Sequence, residues 1–196
     1  MIIPKQYDFS TVSGINENMI KQHYIIYEGY VNKLNEIWSL LNMNLELNKP
    51  NSTYSDIRSL KLGESYALNG IKLHELYFEN ITGCGKEQKG SIIQCINNNY
   101  GSFEEWLIRF KNIALSMRGW VVLAWEPVDC RLHIYGQDIH DKGLIWSSYP
   151  LLIIDVYEHA YALQFGINRK EYLDVIMNTV NWDIVDKRFI EAINKH

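Results

Sequence analysis

The sequence predicts an α+β protein, in which an N-terminal long-helix hairpin is followed by a C-terminal domain of a three-stranded antiparallel sheet with surrounding helices. Two observations predict this class. Apolar residues in the N-terminal part recur at steps of three and four, which is the period of an amphipathic helix. Short apolar, β-branched runs follow in the C-terminal part, and they are typical of strands. The glycine-rich stretch 81–90 separates the two patterns, so we predict domains at 1–85 and 86–196.

Two long helices make up the predicted hairpin. Asn16 is a favourable N-cap for a first helix that should end near Asn44. A polar connection at 45–62 then leads to a second helix at 64–79. Gly70 lies inside this second helix, where glycine costs about 1 kcal/mol relative to alanine. We therefore expect another element to approach the helix closely at Gly70.

Three strands are predicted in the C-terminal domain, at 120–125, 131–135 and 151–154. A turn at 126–129 joins the first two, which favours one antiparallel sheet. Four surrounding helices are predicted. The first covers 92–97, and the second runs from a capping box at Ser102 and Glu105 to near Gly119. The third begins after the cap formed by Asn168 and Glu171, and the fourth begins after Asn181.

Composition and charge narrow the class of function. The net charge of −4, without a cluster of Lys and Arg, argues against a nucleic-acid surface. No apolar run reaches the roughly 20 residues needed to cross a bilayer, and the N-terminus lacks the pattern of a secretory signal. The three cysteines include no Cys-x-x-Cys pair, which favours reduced thiols: Cys84, Cys95 and Cys130. We therefore expect a soluble, cytoplasmic protein that binds neither nucleic acid nor membrane.

The stretch 150–166 contains the strongest candidate site. Its apolar strand ends in Asp155, and His159 follows four residues later, so a turn into a helix can direct both side chains into one site. Burying Asp155 beside so much apolar surface would cost several kcal/mol without a compensating partner. A metal ion is well suited to that role.

This stretch resembles the Asp-x-Trp-Glu-His-Ala-Tyr signature of the iron/manganese superoxide dismutases. Four further segments are similar to that family in the same order along the chain. They are the Tyr-Val-Asn-Lys-Leu-Asn run that begins at Tyr30, the segment around His74, the helix that begins Gly-Ser-Phe and ends at Trp120, and Asn181-Trp182.

The resemblance implies a superoxide dismutase that converts superoxide to dioxygen and hydrogen peroxide at one manganese or iron ion per subunit. The implied metal ligands are His23, His74, Asp155 and His159. Without the family, a lone histidine on an apolar helix face is more often a hydrogen-bonded core residue. The remaining histidines fall outside the pattern and are expected at the surface: His133, His140 and His196.

The resemblance also implies roles around the metal. Tyr30 would guard substrate entry, Trp120, Tyr157 and Phe78 would form an apolar wall, and Gln137 would hold the metal-bound solvent together with Tyr30. Gln137 occupies the place of the glutamine in manganese-type members, which favours manganese over iron. The alternative is that Gln137 lies in an ordinary turn.

A homodimer is implied, with a tetramer as the alternative, and Glu158 would reach the partner's ligand histidine. The sequence departs from the family at Ile26, Tyr27 and Ala162, where a contact across the dimer is missing. These departures keep open a second hypothesis, a dismutase-like protein of little or no activity that acts as a metal-binding or interaction module. A di-iron carboxylate protein would need two Glu-x-x-His motifs, and none is present in the predicted helices.

The first ligand departs from the family's spacing. Family members place this histidine eight residues before the gateway tyrosine, whereas His23 lies seven before Tyr30 and Gln22 lies eight before it. Seven residues of a regular helix return to within roughly 20° of the same face. We therefore predict that His23 is the ligand, that the helix has no bulge, and that Gln22 faces away from the metal.

Overall fold

A computed structural model describes residues 1–43, 49–83, 85, 87–143 and 145–195. The α-helices are α1 (Glu17–Asn42), α2 (Asp56–Ile81), α3 (Ser91–Tyr100), α4 (Phe103–Ser116), α5 (Ala162–Phe165), α6 (Arg169–Asn178) and α7 (Trp182–Ile193). The strands are β1 (Trp120–Glu126), β2 (Arg131–Gln137) and β3 (Tyr149–Asp155). Short 3-10 helices cover Phe9–Thr11 and Glu158–Ala160. The predicted α+β class is confirmed.

The two long N-terminal helices pack against each other as predicted, but the second begins earlier. Ser55 caps α2 by accepting a hydrogen bond from the backbone N–H of Arg58, so the helix includes residues that we had assigned to the polar connection 45–62. The prediction failed because the first two turns of α2 are largely exposed and show no apolar stripe. The predicted end of α1 at Asn44, together with Cys84 and His196, lies outside the described residues.

The three strands form one antiparallel sheet in the order β2-β1-β3, as predicted. Trp120, at the start of β1, is the register partner of both Gln137 and Asp155. The central strand therefore brings Trp120 beside the residue that ends β3. The candidate functional side chains lie at this end of the sheet, where β1 begins and β3 ends.

Polar contacts join the helical hairpin to the sheet and to α7. Asn80, at the end of α2, donates from Nδ2 to the carbonyl of Ile153 at 2.9 Å, and its own carbonyl accepts from the N–H of Asn181 at 2.7 Å. Arg188 on α7 donates to Glu79 at 2.7 Å and to the carbonyl of Leu151 at 3.0 Å. These bonds fix α2 against β3, which matters because each element carries a residue of the site. The division at residue 85 stays a prediction.

The predicted starts of α6 and α7 are confirmed, although Asn181 makes no side-chain capping hydrogen bond. Asn168 accepts from the N–H of Glu171, and α7 follows directly on Asn181. Within the described ranges, no helix is both long enough and apolar enough to cross a membrane. Cys95 and Cys130 are free thiols.

Candidate metal centre

Four side chains from separate elements converge at the end of the sheet where β1 begins and β3 ends. His23 lies on α1, His74 on α2, Asp155 at the end of β3 and His159 in the following 3-10 helix. One ligand atom from each lies within 4.8 Å of the others. Three of the four residues are fully buried, and His159 is largely buried. We refer to these residues as the four-residue cluster.

Asp155 is the hub of the cluster. Its Oδ2 lies 3.1 Å from Nε2 of His23, 3.2 Å from Nε2 of His159 and 3.8 Å from Nε2 of His74. Its Oδ1 accepts from the backbone N–H of Tyr157 at 2.8 Å. The chain leaves β3 at Asp155 and turns at once into the 3-10 helix, which is how a four-residue spacing brings His159 back to the carboxylate.

Burial and charge set the ionisation of the cluster. Desolvation lowers the pKa of both His23 and His74, so both imidazoles are held neutral. Burial alone would raise the pKa of Asp155, but the charge of His159 and hydrogen bonds from His159 and His23 outweigh it and lower that pKa. Burial lowers the pKa of His159, but the charge of Asp155 and the hydrogen bond to it have the larger combined effect, so the pKa of His159 is raised. The carboxylate therefore stays ionised in the interior.

The donor set fits a transition-metal ion. Nδ1 of His74 lies 2.6 Å from the carbonyl of Gly70, so Nδ1 carries the proton and Nε2 presents a lone pair to the cluster. That Nε2 atom is buried without a hydrogen-bond partner among the described residues. Leaving a buried acceptor unpaired costs about 1–3 kcal/mol. Three imidazole nitrogens and one carboxylate oxygen around it match the ligand preferences of iron and manganese.

Helix α1 places the first histidine as its spacing predicts. The helix is uninterrupted from Glu17 to Asn42. His23 is buried in the cluster, whereas Gln22 is exposed. Tyr30, two turns further along, lies on the same side, with its ring 5.5 Å from that of His74. The geometry is that of the predicted arrangement, while the ligand role of His23 stays a prediction.

A histidine that we expected at the surface lies beside the cluster. His140 is only 1% exposed, so that expectation was wrong. Its Nε2 lies 2.7 Å from the hydroxyl of Tyr30, and its Nδ1 accepts from the indole N–H of Trp120 at 2.9 Å. Burial lowers the pKa of His140 to about 4, which keeps the ring neutral near pH 7. His133, by contrast, is half-exposed and pairs with Asp129, as expected for a surface residue.

The tautomer of His140 follows from its partners. An indole N–H can only donate, so Nδ1 of His140 is the acceptor and the single ring proton lies on Nε2. His140 therefore donates to the oxygen of Tyr30. The hydroxyl proton of Tyr30 remains free to be donated elsewhere.

Gly70 provides the room for this pair. A Cβ atom at Gly70 would lie 3.2 Å from the ring of Tyr30 and 3.3 Å from Cδ2 of His140. The close approach predicted at this glycine is confirmed. A glycine inside a helix is also the sequence signal that an aromatic ring packs against α2 at this position. That signal could not show that the ring belongs to His140.

Gln137 is not the residue that bonds to Tyr30, and its Oε1 is buried without a hydrogen-bond partner among the described residues. It is buried at the end of β2, where it lines a cavity with Asn69 and Lys72. In the described part of the chain, no hydrogen bond joins Gln137 to Tyr30 or to the four-residue cluster. The residue that bonds to Tyr30 is His140, three residues beyond the end of β2.

Aromatic rings pack against the histidines of the cluster, while their role as a wall of the site stays a prediction. Phe78 packs at 5.2 Å on His23, Trp120 at 5.0 Å on His74, and Tyr157 stacks at 5.2 Å on His159. Tyr66 on α2 was not predicted. Its ring lies 4.7 Å from that of His140.

The predicted subunit contacts lie on the outer side of this region. Glu158 and Ala162 are exposed. Tyr27 instead points inward, since it is fully buried and donates to Glu75 at 3.0 Å. The homodimer stays a prediction.

Known proteins are similar to this chain over most of its length. Residues 88–188 match the family model described as iron/manganese superoxide dismutases, C-terminal domain. The superoxide dismutase (Fe) of Aquifex pyrophilus is 34% identical over 189 residues, which cover 94% of this chain and 89% of that protein. The superoxide dismutase (Fe) of Sulfolobus acidocaldarius is 33% identical over 187 residues, 92% of this chain and 88% of that protein. The superoxide dismutase (Mn) 1 of Halobacterium salinarum is 29% identical over 195 residues, 98% of this chain and 96% of that protein. With the ligand cluster, the sheet and the two long helices in the order the signature implies, this chain belongs to the iron/manganese superoxide dismutase family.

Proposed function

We propose that this protein is an enzyme that converts superoxide to dioxygen and hydrogen peroxide at a single iron or manganese ion held by His23, His74, Asp155 and His159. The observation that carries the proposal is the buried cluster itself, in which Nε2 of His74 lacks a partner among the described residues. If a metal ion takes the place of the proton on His159, three imidazoles and one carboxylate leave that ion a net positive charge, which suits an anionic substrate.

When bound, iron or manganese supplies the reversible one-electron chemistry that dismutation needs. Two superoxide ions and two protons give one dioxygen and one hydrogen peroxide, so the protein must deliver protons to a site from which water is largely excluded. Tyr30 and His140 are suited to this task. Because His140 donates to the oxygen of Tyr30, the hydroxyl proton of Tyr30 is free to be donated to the site.

Trp120 orients this pair. Its indole N–H fixes the ring of His140 through Nδ1, while its ring packs against His74. Phe78 and Tyr157 complete the apolar wall around the imidazoles. A low local dielectric strengthens the attraction between the bound ion and a superoxide ion.

The choice between iron and manganese stays a prediction. The sequence argument for manganese relied on Gln137 beside Tyr30, and His140 occupies that place. We therefore propose that His140 takes over the tuning that glutamine was expected to supply, since hydrogen bonds near a metal adjust how easily it is reduced. Equal activity of the iron-loaded and manganese-loaded protein would contradict a preference for manganese.

We also propose a homodimer in the cytoplasm. The exposed carboxylate of Glu158 precedes His159, the most exposed member of the cluster, and so can reach a ligand histidine of a second subunit. The free thiols of Cys95 and Cys130 are consistent with a reducing compartment.

One experiment tests the function. Elemental analysis of the purified protein, paired with a superoxide assay, should find about one iron or manganese per chain and dismutase activity. His23→Ala should abolish both, whereas the matched variant Gln22→Ala should leave both nearly unchanged because Gln22 is exposed. Retention of metal by His23→Ala, with loss in Gln22→Ala, would refute the assignment.

A further inference from the structure

We propose that a groove between α4 and the start of β2 binds a small organic anion that carries two phosphate or carboxylate groups. Two cations, Arg109 and Arg131, line this groove. The groove lies away from the four-residue cluster, because β2 begins opposite Glu126 and reaches Trp120 only at its last residue, Gln137. The inference therefore goes beyond the proposed function and does not depend on it.

Arg131 contributes a guanidinium group that is already held in place. Its Nε donates to Oδ1 of Asn99 at 3.4 Å, and its two Nη atoms have no hydrogen-bond partner among the described residues. Asn99 is itself fixed, since it accepts from the backbone N–H of Leu132 at 3.3 Å and donates to the carbonyl of Cys95 at 2.8 Å. A pre-organised guanidinium fork loses less conformational freedom when it binds a phosphate or a carboxylate.

Arg109 lines the same groove from α4. Its Cζ atom lies 6.0 Å from the centre of the Tyr100 ring. The hydroxyl of Tyr100 donates to the carbonyl of Leu132 at 2.9 Å, so this ring is fixed against β2. Because Leu132 directly follows Arg131, the contacts of Tyr100 hold both guanidinium groups at one groove.

The two guanidinium groups have no carboxylate partner. In the part of the chain that the structure describes, neither Arg109 nor Arg131 forms an ion pair. Asp129 is the one acidic residue among those that line the groove, and its carboxylate lies 2.9 Å from Nε2 of His133 instead. A guanidinium group can make two parallel hydrogen bonds to one phosphate or carboxylate. A ligand with two such groups can therefore engage both arginines at once.

The size and lining of the groove favour an organic ligand over a free inorganic ion. Its volume is about 520 Å³, within the range of roughly 300–1,000 Å³ that is usual for small-molecule sites. Ile113, Leu132 and Ile134 contribute apolar surface. A carbon skeleton can cover this apolar surface, whereas a single phosphate ion would leave it exposed to water.

Isothermal titration calorimetry of the metal-loaded enzyme tests the inference. The probes are ADP, with two phosphate groups, succinate, with two carboxylates, and inorganic phosphate, with one charged group. We expect one site per chain for ADP or succinate, and an affinity about tenfold lower for inorganic phosphate, which engages one guanidinium group at a time. Binding of only ADP or only succinate would show which charged group the site takes. Binding of neither would overturn the inference, and so would an equal affinity for inorganic phosphate.

Variants that change one charge locate the site. Arg109→Gln and Arg131→Gln should each weaken binding about tenfold. Arg58→Gln is the matched control, because Arg58 is an exposed arginine on α2 that does not line the groove. Asp129→Asn should strengthen binding about threefold at low ionic strength, since it removes a negative charge from the groove wall. Equal affinity of the unmodified protein and both groove-arginine variants would place the probe elsewhere and overturn the inference.

Discussion

Gly70→Ala should separate the stability of this protein from its activity. Alanine in place of glycine inside a helix stabilises it by about 1 kcal/mol. At Gly70, however, the added Cβ would lie 3.2 Å from Tyr30 and 3.3 Å from His140, closer than an ordinary van der Waals contact. Overpacking of this kind typically costs about 1–3 kcal/mol. We therefore expect the free energy of unfolding to fall by between about 0 and 2 kcal/mol, the difference of the two effects.

The activity of Gly70→Ala should fall more than its stability. The Tyr30 and His140 rings must move by a few tenths of an ångström, which lengthens the 2.7 Å bond through which His140 orients the Tyr30 hydroxyl. The carbonyl of Gly70, which fixes the tautomer of His74, is unaffected by the added methyl group. We expect kcat to fall about tenfold, as a loss of roughly 1.4 kcal/mol in the transition state would produce, with metal content unchanged.

Gly29→Ala is the matched control. Gly29 is also inside a long helix, on α1, and a Cβ there would meet nothing within 4 Å. That variant should gain about 1 kcal/mol of stability and keep full activity. Chemical unfolding of both metal-loaded variants, with steady-state kinetics, makes the comparison. If Gly70→Ala matched Gly29→Ala in both stability and activity, the tight contact at Gly70 would have no functional consequence and the reasoning would be refuted.

Three other predictions concern single residues. Glu158→Ala should weaken the dimer and lower metal content together; a variant that stays dimeric by analytical ultracentrifugation with full metal content would show that Glu158 makes no contact across subunits. His140→Leu removes the donor to Tyr30 at nearly the same volume, so kcat should fall at least tenfold, roughly 1.4 kcal/mol, with metal retained; unchanged kcat would exclude a role for His140 in proton delivery. Ser55→Ala removes the N-cap of α2 and should cost about 1 kcal/mol in unfolding free energy without changing activity; an equal stability of the two proteins would mean that the α2 terminus frays at no cost.

The side chains that the structure brings together as the sequence analysis expects are those fixed by local geometry. Asp155 and His159 are four residues apart at a strand end, and the turn that follows can bring them together in few ways. His23 and Gln22 are separated by helix periodicity, because a step of one residue changes the face by about 100°. In both cases a short-range rule determines where the side chain points.

The errors occur where no such rule operates. His140 lies in an irregular connection after β2, and periodicity gives no direction to a side chain there. Gln137 and His140 are three residues apart, and no local pattern shows which of them lies beside Tyr30. The glutamine was assigned to that place by its residue type and by resemblance alone. The early start of α2 was missed for a related reason, since its first turns face solvent and show no apolar pattern.

Gly70 and His140 are best understood as one unit. The family's iron-type members, as the resemblance implies, place a glutamine four residues before the second ligand, which is the position of Gly70 here. A side chain at that position would occupy the volume now filled by Tyr30 and His140, since even a Cβ comes within 3.3 Å of both rings. A side chain at position 70 and the ring of His140 cannot occupy one volume, so a chain that uses His140 from the loop after β2 must keep position 70 free of a side chain. Gly70, which weakens α2, is therefore required by His140, 70 positions further along the chain. The two residues should be substituted together in any attempt to change how easily the metal is reduced.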